Sequence, residues 1–207
     1  MKISQLKKKE AKAFTLIEMI GVLAVIAILA SLLIPKIYEA INNARISNTT
    51  LSYNTVKSAL ADHYAKFGSL TSSNGAIIIA GTGEATNFDK VLITEGFLDK
   101  PFDVKIGTGS YIEVVAGLTA ATAVDAVNTA YDLDGSGTTL NDASGSAVVQ
   151  AVIPNVSLGD AFALSTLLDG ATLSAANASV GSSDLKGRVK YSGAAATTTV
   201  FIYVTHR

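Results

Sequence analysis

The segment that decides the fold reads FTLIEMIGVLAVIAILASLLI and occupies residues 14–34. Its only charged residue is Glu18, near the start. At 1.5 Å per residue, a helix over 14–34 spans roughly 30 Å, which is the thickness of the hydrocarbon core of a membrane. An ordinary secretory signal has a shorter apolar region, of about 7 to 15 residues. The length therefore predicts a membrane-spanning helix rather than such a signal.

Lysines concentrate just before this segment, at positions 7, 8, 9 and 12. Cytoplasmic flanks of membrane helices are enriched in lysine and arginine. We therefore expect a single pass through a membrane, with the N-terminus cytoplasmic and everything after Pro35 outside. A carboxylate at the membrane centre costs about 2.5 to 3.5 kcal/mol. Glu18 thus either lies near the interface of a plain membrane anchor or has a cationic partner.

The sequence KKKEAKA, residues 7–13, followed by FTLIE, resembles the prepilin cleavage site of type IV pilins and type II secretion pseudopilins. The resemblance implies that a prepilin peptidase cuts between Ala13 and Phe14 and methylates the new amine of Phe14. It also implies that the Glu18 carboxylate pairs with the N-terminal amine of a neighbouring subunit during assembly. Ala13 stands where the family usually has glycine, and alanine is small enough for processing.

The resemblance further implies a structural role without catalysis, in a homo-oligomeric filament built from the inner membrane by an assembly platform. The filament is either a type IV pilus at the cell surface or a pseudopilus in the periplasm, and the N-terminus does not distinguish them. The expected fold is an α+β lollipop, with a long N-terminal helix on a small, mainly antiparallel β domain. Its parts are a basic leader 1–13, a helix 14–67 and a globular domain 68–207.

Pro35 divides the predicted helix into a transmembrane half, 14–34, and an amphipathic half, 35–67. Proline removes one backbone hydrogen bond and clashes with the preceding turn, so we expect a kink or local melting at Ser31–Pro35. Apolar residues continue at helical spacing, and Gly68 is a suitable end. These residues are Ile37, Ile41, Ala44, Leu51, Val56, Leu60, Tyr64 and Phe67, and we predict that the last four are core.

After Gly68 the composition shifts to small and polar residues with short apolar runs, which indicates strands joined by turns. Two short helices are predicted, at 88–95 after an N-cap at Asn87 and at 158–168 before Gly170. Pro154 suggests that its strand ends there or lies at a sheet edge. The predicted strands are Ala76–Ala80, Tyr111–Ala116, Ala147–Val156, Gly187–Ser192 and Thr198–His206.

Acidic residues alternate in the segment DLDGSGT, which begins at Asp132. Asp132, Asp134 and Ser136, with a glycine at the sixth place, resemble the start of a calcium loop, and Asp142 lies nearby. The twelfth place, where such a loop needs an acid, holds Ala143. The segment therefore predicts either a Ca²⁺ site or a turn whose side chains cap their own backbone. No other cofactor is predicted.

Charge and composition exclude several classes of function. The leader 1–13 holds five of the 16 basic and one of the 17 acidic residues, so the remainder carries a net charge of −5 and specific nucleic-acid binding is not indicated. The chain has no cysteine, which excludes disulfides and thiolate zinc sites. The alternative to a filament subunit is a membrane-anchored extracytoplasmic binding module or enzyme, for which only the Asp132 segment offers a site.

Overall fold

The computed structural model describes residues 14–70, 87–137, 140–145 and 147–207. The α+β prediction, with a long N-terminal helix and an antiparallel sheet, is confirmed. The leader 1–13 and the predicted strand Ala76–Ala80 lie outside the described residues. The elements are α1 (Leu16–Phe67), α2 (Phe88–Thr94), β1 (Tyr111–Ala116), β2 (Ala147–Ser157), α3 (Leu158–Asp169), β3 (Val189–Tyr191) and β4 (Thr197–His206).

Helix α1 is continuous and contains Pro35 in its interior. The predicted local melting at Ser31–Pro35 is therefore wrong, whereas the kink stays a prediction. A proline removes only one hydrogen bond of the helix, and the bonds on either side of it hold the chain in helical form. The helix ends as predicted at Gly68, whose φ of 69° is left-handed and whose N–H bonds to the Tyr64 carbonyl at 2.8 Å.

The four strands form one sheet in the order β1-β2-β4-β3, with every neighbouring pair antiparallel. Strand β2 is central, so the alternative that Pro154 marks an edge strand is wrong. The strand also continues beyond Pro154 to Ser157. The register shifts between Ile153 and Val156, and Asn155 has a φ of 57°. Pro154 is tolerated because this bulge requires no ladder hydrogen bond from it.

One face of the sheet carries the main hydrophobic core, which includes residues of all three helices. Val56 and Leu60 are buried as predicted, and Tyr64 and Phe67 are half-buried. Leu51, in contrast, is 66% exposed. Helix α1 contributes further buried residues that the apolar spacing did not single out, namely Ile46, Thr49, Tyr53, Ala59 and His63.

The opposite face of the sheet is covered by the segment between β1 and β2. Tyr131 and Ala143 of that segment are fully buried and pack with Val148 of β2. The ring of Tyr131 lies 5.3 Å from that of Tyr203, and its hydroxyl donates to Gln150 Oε1 at 2.6 Å. This second cluster anchors the acidic segment, because Tyr131 immediately precedes Asp132.

The chain divides into two compact units, Met1–Ile41 and Asn42–Arg207. The described part of the first unit is helical from Leu16 onward. The second unit contains the rest of α1, the sheet and every buried residue of the two hydrophobic clusters. The division thus falls within α1 rather than at its end.

Candidate functional site

The first turn of α1 is closed by a reciprocal pair, Thr15 and Glu18. The Thr15 N–H and hydroxyl both donate to Glu18 Oε2 at 2.8 Å, and the Glu18 N–H lies 3.3 Å from Thr15 Oγ1. This is a capping box, in which two N–H groups that have no partner in the helix receive side-chain acceptors. The pattern Thr-x-x-Glu before an apolar run could have predicted it from sequence alone.

The capping box uses one carboxylate oxygen of Glu18 and leaves the other available. Oε1 of Glu18 has no hydrogen-bond partner among residues 14–70 or in the remaining described ranges. Phe14, which would become the N-terminal residue after cleavage, is 76% exposed. Ala13, the other half of the predicted cleavage site, lies outside the described residues.

Beyond Glu18, helix α1 carries no charged residue from Met19 to Pro35, and its apolar side chains there are exposed. Helix α1 is long and apolar enough to cross a membrane, and its most apolar stretch is not buried. Apolar side chains this exposed are unfavourable in water. The most exposed of them are Leu23, Ile28, Leu29 and Leu32.

A second candidate site lies in the segment after Tyr131. Asp132, Asp134 and Asp142 each offer a carboxylate oxygen, and these three oxygens lie within 4.8 Å of one another. Asp132 is 4% exposed, and its Oδ1 is buried without a hydrogen-bond partner among the described residues. Such an orphaned oxygen is costly unless a cation or water reaches it. Hard oxygen donors of this kind suit Ca²⁺.

Backbone N–H groups hold the three carboxylates in place. Leu133 N donates to Asp142 Oδ2 at 2.8 Å, Ser136 N to Asp134 Oδ1 at 2.8 Å, and Gly137 N to Asp132 Oδ2 at 3.3 Å. The hydrogen bonds from Ser136 lower the pKa of Asp134, so this group is ionised at neutral pH.

The loop departs from a standard calcium loop at its end. Ala143, at the twelfth place, is fully buried in the second hydrophobic cluster and has no side-chain oxygen to offer a cation. Asp142, one place earlier, is the acid that reaches Asp132 and Asp134. Ser136 contributes its backbone N–H to the loop, and a ligand role for its hydroxyl stays a prediction.

Sequence reasoning gave His63 no role, yet it forms a buried pair with Glu95. His63 Nδ1 lies 2.5 Å from Glu95 Oε2, and both side chains are almost fully buried. The rings of Phe67, Phe88 and Phe97 surround the imidazole. The pair joins α1 to the end of α2, and no local pattern in the sequence signals it because its members are far apart in the chain.

Comparison with known proteins identifies a family at the N-terminus. Residues 8–34 match the family described as the prokaryotic N-terminal methylation motif. No curated protein and no solved structure matches the chain significantly. The matched range contains the predicted cleavage position, the capping box and the exposed apolar helix. The chain therefore carries the N-terminal signature of type IV pilins and pseudopilins.

Proposed function

We propose that this chain is the precursor of a structural subunit in a type IV pilus or pseudopilus filament. Prepilin peptidase removes residues 1–13 and methylates Phe14, and the subunit then polymerises through the apolar helix 14–34. The observation that carries the proposal is a carboxylate, Glu18, in the first turn of an exposed apolar helix that carries the methylation motif.

Assembly follows from the chemistry of the first turn. An ammonium and a carboxylate are each costly in hydrocarbon alone and largely compensate each other when paired. The Thr15 donors hold Glu18 Oε2, and Oε1 receives the Phe14 amine of a neighbouring subunit. This pairing fixes the axial register of the two helices, while their apolar side chains exclude lipid.

Before assembly, the precursor sits in the inner membrane with its basic end in the cytoplasm. The lysines at positions 7, 8, 9 and 12 favour that orientation. An assembly platform then extracts the processed subunit into the filament. The globular unit from Asn42 onward lies outside the membrane in both states.

Intact mass and N-terminal sequencing of sheared filaments and of membranes test processing and assembly together. A chain that begins at methylated Phe14 in the filament fraction is the expected result. A chain found only in membranes and beginning at Met1 would contradict the proposal and favour an anchored extracytoplasmic binding module or enzyme.

The substitution Glu18→Leu tests the role of the carboxylate. We expect the variant to remain in the membrane but to lose filament assembly, because the neighbouring amine would enter hydrocarbon unpaired. Met19→Leu, an apolar exchange on the next residue, is the matched control and should assemble normally. Full assembly of the Glu18→Leu protein would remove the assigned mechanism.

We further propose that Asp132, Asp134 and Asp142 hold a Ca²⁺ ion, with Ser136 as an additional oxygen ligand. The unpartnered Oδ1 of Asp132 supports this, since a divalent cation would satisfy it. The ion would join the two ends of the loop, at Asp132 and Asp142, next to Tyr131 and Ala143 of the second hydrophobic cluster. Calorimetric titration should show Ca²⁺ binding that Asp132→Asn abolishes and that Asp103→Asn, at an exposed surface pair, leaves unchanged.

A further inference from the structure

Lys190 of β3 has a fully buried side chain in a cage of oxygen atoms. Its Nζ donates to the backbone carbonyls of Asp125 and Asn128 at 2.8 Å and of Ala130 at 2.5 Å. Asn128 Oδ1 lies 3.3 Å away, and the ammonium sits 4.2 Å from the centre of the Tyr131 ring. Burial lowers the pKa of Lys190 to about 7, and when the amine is protonated its three hydrogens are matched by three carbonyls.

A buried ammonium is costly unless its donors are satisfied, so this cage requires the segment 125–130 to lie where it does. The ammonium in turn stabilises the segment 125–130 in this position, because the carbonyls gain charge-assisted hydrogen bonds. Asn128 also closes the segment on itself, since its Oδ1 accepts from Ala130 N at 3.0 Å and its Nδ2 donates to the Ala123 carbonyl at 2.8 Å.

The cage ends two residues before Asp132. On the other side of that residue, Gly187 N donates to the Asp132 carbonyl at 2.7 Å, and Asp132 pairs with Lys186 in an isolated bridge. The chain from Lys186 to Lys190 therefore contacts the backbone on both sides of the Asp132 side chain. Within this stretch, the Lys190 side chain bonds to three separate backbone carbonyls of the segment 125–130.

We propose that Lys190 is a positioning residue for the acidic loop, and that its ammonium holds the loop so that the Asp132 carboxylate lies close to those of Asp134 and Asp142. This rests on the calcium site proposed above. Partners that orient metal ligands typically contribute about 10- to 100-fold to metal affinity. Lys190 acts at one remove, through the backbone that carries the ligand.

The substitution Lys190→Met separates positioning from simple electrostatics, because the two predict opposite signs. Removing a positive charge near a cation site should strengthen Ca²⁺ binding by Coulomb's law. Loss of positioning should weaken it, and we expect at least about a tenfold weaker affinity in calorimetric titration of the full chain in detergent. Lys100→Met, which removes an exposed charge, is the control and should bind as the unaltered protein does.

Hydrogen exchange of the calcium-free full chain gives a second readout that does not depend on the metal. In Lys190→Met, the amides of Tyr131, Leu133 and Asp142 should exchange faster, while amides of β2 and β4 stay protected. Unchanged loop exchange, loss of protection throughout the sheet, or Ca²⁺ affinity equal to or tighter than that of the unaltered protein would each overturn the proposal. If the unaltered protein binds no Ca²⁺, the calcium proposal fails, and the exchange result still decides whether Lys190 holds the loop.

Discussion

At the scale of single residues, the Glu18 carboxylate caps the first turn of α1 through Thr15, and we propose a second role for it in assembly. The resemblance to prepilins implied the assembly role of Glu18, which stays a prediction, whereas a lone acid in an apolar segment indicated by itself only an interfacial position or a cationic partner. The pattern Thr-x-x-Glu in the sequence also indicates the capping box, but the capping box was not predicted. The burial of Lys190 could not be predicted from the sequence, since a lysine in a short edge strand is usually exposed and its partners lie about sixty residues earlier.

The substitution Thr15→Val tests the capping box. Valine keeps the shape of threonine but removes the hydroxyl that bonds to Glu18 Oε2. We expect filament assembly to fall by about fivefold, which corresponds to the roughly 1 kcal/mol of a lost cap. Ser31→Ala, which removes the hydroxyl that bonds to the Ile28 carbonyl in the same helix, should assemble normally. Yields of sheared filaments give the comparison, and equal yields from both variants would contradict a role for the cap.

Asp184 predicts a pH dependence of stability. It is 2% exposed, and burial raises its pKa from 3.8 to about 6 despite the hydrogen bond from Ser165. The folded state therefore binds this proton more tightly than the unfolded state, so the free energy of unfolding falls as the pH rises from about 4 to about 6. The contribution is on the order of 3 kcal/mol.

Near-ultraviolet circular dichroism of the tyrosines, during unfolding of the full chain in detergent, measures this effect. Other groups titrate in the same range, so the informative quantity is the difference from Asp184→Asn. That variant should lose the part of the decrease between pH 4 and pH 6 that belongs to Asp184. An identical pH profile in both proteins would exclude this carboxyl as the source.

At the scale of elements, the bulge in β2 explains where sequence reasoning failed. Strand propensity located β1 and β4 almost to the residue, because their apolar patterns are local. Whether a central strand tolerates a proline depends instead on whether the neighbouring strand requires a hydrogen bond at that position. For Pro154 this is a property of the register with β4. Pro154 keeps its place through its carbonyl, which accepts the Thr108 N–H at 3.0 Å.

Two glycines provide a matched test of this packing. A Cβ at Gly107 would overlap the Pro154 carbonyl oxygen and lie 2.7 Å from Ile153 Cγ2, so Gly107→Ala should destabilise the protein by about 1 to 3 kcal/mol. A Cβ at Gly159 in α3 would meet only Ser157 Oγ at 3.9 Å. Gly159→Ala should therefore be neutral or stabilise by up to about 1 kcal/mol. Chemical denaturation measures both, and equal effects would contradict the close contact.

At the scale of the whole molecule, the calcium proposal predicts that metal stabilises the globular unit. Binding only to the folded state adds free energy that grows with the concentration of the ion. A hundredfold excess of Ca²⁺ over its dissociation constant should add about 2.7 kcal/mol to the free energy of unfolding. A chelator should reverse this gain, and Asp132→Asn should show neither effect. Equal stabilisation of the two proteins would place the ion elsewhere.

The division of the chain after Ile41 has a practical consequence. The first buried core residue of α1 is Ile46, so a fragment that begins at Asn42 would retain both hydrophobic clusters and all four strands. It would also lack the exposed apolar segment 14–34, for which we expect the full chain to need detergent. We expect such a fragment to dissolve as a monomer in plain buffer, small enough for solution nuclear magnetic resonance.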